Sequence, residues 1–313
     1  MLYVILIFAY IVFMMIRPLS LAQHTLYADL LDQGGDDLFD PDFPENGSLL
    51  IRGNRAGAPA DHVYYQGYRR AAGDAGRGQR FSRYLGRSDD PEVAARIARF
   101  RRVKAVREER TTTVRALIGA GMPRPSIITG RIIEAVARAG LFRDQAVLLG
   151  DIAFQAYGGI LGVRFAKARC TPESDRPNIT LAVRNSDRLG QLIDALQTID
   201  PSFAAEPSSA TTYRSASGLE ITASADNACG TPSNLVNFVM ERAIAALVLH
   251  GPGIPVLVPA PERYLAYTQL RQNDGPPAGE AELAAALKYV GREHAVTQAL
   301  ADAGAMLSRL TSP

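Results

Sequence analysis

An α+β fold is predicted by three features of the sequence. Apolar residues alternate along some segments and recur at helical spacing along others. The two kinds of segment are mixed rather than strictly alternating, which favours a mixed sheet over a parallel one. Clusters of glycine and proline punctuate them. The expected order is a small antiparallel meander, a long basic helix, a mixed sheet with flanking helices, and a helical tail.

The first residues stand apart. Leu2 to Ile16 is an unbroken apolar run followed by Arg17 and Pro18. It is short for a membrane span, which needs about 20 residues, and no basic residue precedes it as in a secretory signal. Ser20-Leu21-Ala22 resembles a cleavage site. Residues 1–22 are therefore expected to be an extension: a mis-started leader on a cytoplasmic protein, a membrane anchor through residues 2–16, or a cleaved signal. The first reading is preferred, so a cytoplasmic location is expected, with a membrane-anchored one as the alternative.

His24 to Gln33 has the pattern of a short amphipathic helix, and the acidic, Gly- and Pro-rich Gly34 to Gly47 that of a loop. Three strands are expected near Ser48–Gly53, His62–Arg70 and Arg80–Gly86, with a hairpin turn at Gly73–Gly78. Asp90-Pro91-Glu92 carries the start signals of a helix. That helix, ending near Gly121, holds Arg96, Arg99, Arg101, Arg102, Lys104, Arg107 and Arg110. It is read as a solvated face rather than a nucleic-acid surface, because aromatic residues do not interleave beyond Phe100.

Thr129 to Phe142 is a second amphipathic helix, with Thr129 as its expected cap and Gly140 as its end. Ala146–Leu149 reads as a buried strand entering Gly150 and a helix over Ile152–Tyr157, which Gly158 and Gly159 are expected to end. Asn178 to Val183 alternates as a strand with Asn178 and Thr180 on one face. Ser186–Ile199 is helical, and Thr211–Arg214 and Leu219–Ala223 pair around a turn at Ser217-Gly218. A buried segment, the turn Gly251–Gly253, a strand at Ile254–Val258 and helices from Glu262 to Leu310 complete the chain. The boundaries that follow are 1–22, 23–128, 129–260 and 261–313.

Composition narrows the chemistry. The chain has 313 residues and is 47% hydrophobic and 21% charged, as ordinary globular proteins are. A net charge of +2 excludes a polycation that binds nucleic acid through bulk charge. Cys170 and Cys229 form no CxxC, and four histidines are scattered, so a structural zinc site is not expected. Neither a Walker A motif nor a dinucleotide fingerprint is present, and Ser217-Gly218 is a turn rather than a nucleophile elbow. His250, alone at the end of an apolar run, reads as structural.

The segments YADLLDQ, RYLG, TGRIIEAVARAGLF, VLLGDIAFQAYGGILGVRF, SGLEI and VLHGPGIPVLVPAPERY, in this order, resemble a family of bacterial proteins with a nucleotidyltransferase fold, within the DNA polymerase beta-like superfamily. The resemblance runs from about Tyr27 to Ala299 and makes 129–260 the nucleotidyltransferase-like domain. It implies transfer of a nucleotidyl group from an NTP to a hydroxyl. A Gly-Ser or Gly-Thr at a helix start holds the triphosphate. Two aspartates two apart on the next strand, and a third carboxylate on a later strand, hold Mg²⁺.

Carried over, the phosphate turn falls on Gly150 and Asp151, where a carboxylate replaces the hydroxyl. Asp151 is still suited to capping the helix. The metal ligands fall on Asn178, Thr180 and Thr222, none of them charged. A lysine of the family falls near Thr268, and a basic turn is replaced by Asn273–Glu280. Asp175 and Glu220 are the fallback carboxylates; Glu220 is expected to turn to the opposite face from Thr222. The resemblance thus implies a degenerate member that binds a nucleotide or a protein partner, with no cofactor and no strong nucleic-acid signal. The alternatives are an active enzyme using Mg²⁺ and NTP through displaced carboxylates, and a membrane-tethered interaction domain.

Overall fold

A computed structural model describes residues 16–35, 38, 47–53, 61–69, 79–166, 178–184, 189–207, 209–225, 233–270 and 279–311. They fall into two compact units, Met1–Gln33 with Thr113–Pro313, and Gly34–Thr112.

In the smaller unit, strands β2 (Ser48–Arg52), β3 (His62–Arg69) and β4 (Gln79–Arg87) form an antiparallel sheet in the order β2-β3-β4. Val63, Tyr65 and Leu85 on one face meet Val93, Ile97 and Phe100 of a helix, α2 (Pro91–Gly119). The 3–4 spacing of those helical residues is what lets a charge-rich helix bury one stripe. The residues of α2 from Thr113 onward belong to the larger unit.

In the larger unit the expected extension is partly built into the fold. Ile16–Pro18 forms β1 and pairs antiparallel with β6 (Val163–Phe165), Ile16 opposite Phe165. Helix α1 (Leu21–Asp32) follows, and Ser20 caps it in a reciprocal capping box. The Ser20 hydroxyl accepts from the Gln23 N–H, and the Gln23 side chain accepts from the Ser20 N–H. Ser20-Leu21-Ala22 is thus a helix start. Residues 2–15 of the apolar run lie outside the described residues. No described helix is long and apolar enough to cross a membrane.

The main sheet contains β5 (Val147–Leu149), β7 (Asn178–Val183), β10 (Glu220–Ala225), β9 (Ser209–Arg214) and β8 (Ala204–Glu206), in that order. β7 and β10 are parallel and the other neighbours antiparallel, so the sheet is mixed, as expected. Helices α3 (Ile127–Arg138), α4 (Gly150–Leu161), α5 (Leu189–Gln197) and α6 (Ser233–Met240) belong to this unit. So does the hairpin of β11 (Ala243–Val248) and β12 (Ile254–Pro259). Helices α7 (Pro261–Leu270), α8 (Glu280–Tyr289) and α9 (Glu293–Thr311) close the chain. Val147, Leu149 and Ala182 pack with Leu235 and Phe238 of α6, Ala266 of α7, and Ala299 and Ala303 of α9.

Two local expectations are corrected. The cap of α3 is Ser126, whose hydroxyl accepts from the Thr129 N–H at 3.2 Å; Thr129 lies inside the first turn. Gly158 and Gly159 do not end α4, which continues to Leu161 and stops at Gly162 in the left-handed region. They are there for close approach: a Cβ on Gly159 would fall 2.2 Å from the Tyr27 ring of α1, and one on Gly158 2.9 Å from the Val163 carbonyl.

Candidate functional site

Strand β5 ends at Leu149, opposite Thr180 of β7, and the chain turns at Gly150 into α4. Gly150 has φ +72°, a conformation that a side chain disfavours. Thr222 of β10 lies opposite Thr180 on one side and Thr212 of β9 on the other. Cross-strand partners share a face at a spacing of about 4.8 Å, so Thr180, Thr222 and Thr212 form a row of hydroxyls across three strands. A Cβ on Gly150 would stand 4.0 Å from the Thr180 Oγ1. Thr180, Thr222 and Gly150 thus converge. Asn178 occupies the next register position of the same face, opposite Glu220.

That position corrects one expectation. Residues two apart on a strand share a face, so Glu220 stands beside Thr222 and not opposite to it. Glu220 is not free to serve as a ligand, however. Arg214, its partner on β9, donates to it at 2.7 Å and to Glu206 at 3.0 Å. The alternation of the β9–β10 hairpin is the signal that places Arg214 there, a residue the sequence reading passed over. Asp175 lies outside the described residues.

At the helix start, Asp151 does not cap α4. Leu149 holds the cap position, and no side-chain cap bond is made there. Asp151 projects from the first turn on the exposed side, yet surrounding atoms desolvate its carboxyl and raise its pKa above the ordinary carboxylate value. The Gly150 carbonyl accepts from the Tyr264 hydroxyl at 3.1 Å. Tyr264 closes the PAPERY segment, whose other polar side chains are also tied into the scaffold. Buried Arg263 donates to the Phe238 carbonyl at 2.6 Å and to Glu241 at 2.9 Å. Buried Glu262 pairs with Arg292. Thr268, where the family's lysine was expected, is buried and bonds to the Leu265 carbonyl at 2.9 Å.

A Mg²⁺ ion prefers anionic oxygens in a rigid octahedral set. The described residues of this face do not fit it. The central row carries uncharged hydroxyls, and the adjacent carboxylate is neutralised by a guanidinium that would repel a cation. Among the described residues no group of three or more His, Cys, Asp or Glu is placed to hold a metal.

Comparison with known proteins agrees with this architecture. No curated protein and no solved structure matches the chain. A family model described as nucleotidyltransferase matches residues 128–307, which include all of the main sheet and the turn at Gly150. By that match over more than half its length, the chain belongs to this nucleotidyltransferase family.

Proposed function

We propose that this chain is a nucleotidyltransferase-fold protein that has given up nucleotidyl transfer and retains a binding role toward a nucleotide or a protein partner. The observation that carries the reading is the register Thr180–Thr222 beside Gly150. The strands and the glycine turn that the resemblance assigns to two metals carry uncharged hydroxyls at these positions. Two divalent cations beside a triphosphate need several anionic oxygens, and hydroxyls do not replace them. Arg214 adds to the argument by occupying Glu220. On this reading the face binds no Mg²⁺ and NTP is not turned over.

The test uses the full chain. Incubation with labelled NTPs, Mg²⁺ or Mn²⁺ and a cell lysate should transfer no label above background. Calorimetry should show no Mg²⁺ binding to the parent and clear binding to the triple variant Asn178→Asp, Thr180→Asp, Thr222→Asp. Label transfer that disappears in Glu220→Gln or Asp175→Asn would establish the active-enzyme alternative. A triple variant that gains no Mg²⁺ affinity would show that the site is misplaced.

A further inference from the structure

The smaller unit has a face that the transferase reading does not use. One side of the meander packs on α2. The other side presents His62 and Tyr64 of β3 and Tyr84 of β4, with Arg52 of β2 opposite His62. The rings form a cluster: Tyr64 and Tyr84 centroids are 5.3 Å apart, and His62 and Tyr84 centroids 5.6 Å. The His62 Nδ1 lies 3.1 Å from the Tyr84 hydroxyl, and the Arg52 guanidinium 5.7 Å from the Tyr64 ring centre. Tyr84 remains 50% exposed. Arg80, on the same strand, bonds to Gln66.

Basic residues accompany the rings: Arg52 lies opposite His62 and Arg80 opposite Tyr68 on the same face, while the arginines of α2 belong to the helix on the other side of the sheet. From Gly34 to Thr112, the whole of this unit, the sequence holds 15 Lys and Arg against 12 Asp and Glu; the remaining residues hold 19 against 20. The overall charge of +2 thus lies in the smaller unit, at +3 against −1 in the rest, and within it the acidic residues gather in 34–47 and the basic ones from Arg52 onward. Such asymmetry is an electrostatic footprint for a polyanion. Aromatic residues do not interleave along the basic helix beyond Phe100. They lie instead on the outer face of the sheet that the helix supports.

We propose that the outer face of the meander binds single-stranded nucleic acid, with Tyr84 and Tyr64 as stacking platforms and Arg52 and Arg80 as backbone contacts. Rings on paired strands, Tyr84 exposed and Tyr64 partly buried, offer a π-face to an unpaired base, and arginines beside them contact phosphates. A duplex hides those base faces, so the geometry selects single strands. An acidic protein would satisfy the charge but leaves the ring cluster unexplained. The inference concerns only residues 48–112 and does not depend on the state of the Thr180–Thr222 site.

Fluorescence anisotropy on the full chain tests it, with labelled oligo-U RNA and oligo-dT DNA of about 15 nucleotides and a blunt duplex. Single strands should bind in roughly the micromolar range at low salt and weaken as salt rises. Tyr84→Ala should weaken binding about fivefold to a hundredfold. Tyr84→Phe should retain it, and Arg52→Ala should flatten the salt dependence. The RNA and DNA arms show whether the 2′-hydroxyl contributes. Since Tyr84 is half exposed, its variants should melt like the parent. Three results would overturn the proposal. These are no single-strand binding tighter than about 10⁻⁴ M, equal affinity for duplex, and Tyr64→Ala and Tyr84→Ala variants that bind as the parent does. The first would leave the face to a protein partner.

Discussion

The imidazole of His250 rests against the first turn of α3, where a Cβ on Gly130 would fall 2.2 Å from its Nδ1. Burial is the main cause that lowers its pKa below 6.5; Arg131 and Arg124 push the same way, and Glu134 opposes them. The fold thus favours the neutral ring. Between the folded pKa and 6.5 the unfolded chain holds a proton that the folded chain does not. This contribution to stability is complete above the unfolded value and is lost as pH falls through the folded one. Thermal melts from about pH 7.5 to about pH 5 should show a smaller pH-dependent loss in His250→Asn than in the parent; equal slopes would acquit His250. The structural role of this residue was legible from its isolation in an apolar run. That Thr180 and Thr222 fall opposite one another on neighbouring strands was legible through alternation and resemblance. Arg214 carries no motif of its own, and only the register of the hairpin, counted from Ser217-Gly218, sets it opposite Glu220.

At the scale of elements, the sequence anticipates most strands and helices because period and punctuation agree. It misjudges places where packing overrides a local signal. Gly158-Gly159 looks like a helix end, and tertiary contact makes it a helix interior. Tyr27 is buried, its hydroxyl accepts from the Leu247 N–H at 3.0 Å, and burial pushes its pKa up to about 12. Its ring therefore has no room to yield to a methyl on Gly159. Overpacking costs about 1–3 kcal/mol against about 1 kcal/mol gained from alanine's helix propensity. Gly159→Ala should lower the melting temperature by a few degrees. Gly190→Ala, in α5, meets nothing within 4 Å and should raise stability by up to about 1 kcal/mol. Strands β1, β6 and β8 have three residues each and no apolar run across all three to mark them, unlike β5, whose three residues are all apolar.

On the scale of the molecule, two compact units carry separate cores. In the smaller unit, Tyr65 is fully buried between Phe81 and Phe100, with ring centroids 5.9 and 5.8 Å away. Tyr65→Ala removes that ring at a cost of about 3–5 kcal/mol. Calorimetry of the full chain should then show one transition lowered and the other unmoved; a single transition that shifts as a whole would mean that the units unfold together. The sequence reads as four segments, with residues 23–128 taken as one region, and carries no signal of two cores. It did not signal which residues before position 34 belong with those after 112, since that assignment comes from contacts across long separations.

The pairing of Ile16–Pro18 with Val163–Phe165 also bears on how the protein is handled. A chain trimmed at residue 23, where the apolar run invites a cut, strips β6 of its partner and uncovers Val163 and Phe165. An unpaired strand edge beside apolar side chains is the geometry by which sheets recruit foreign strands. Trimming for solubility at that point would therefore manufacture a sticky molecule from one whose edge was already sealed.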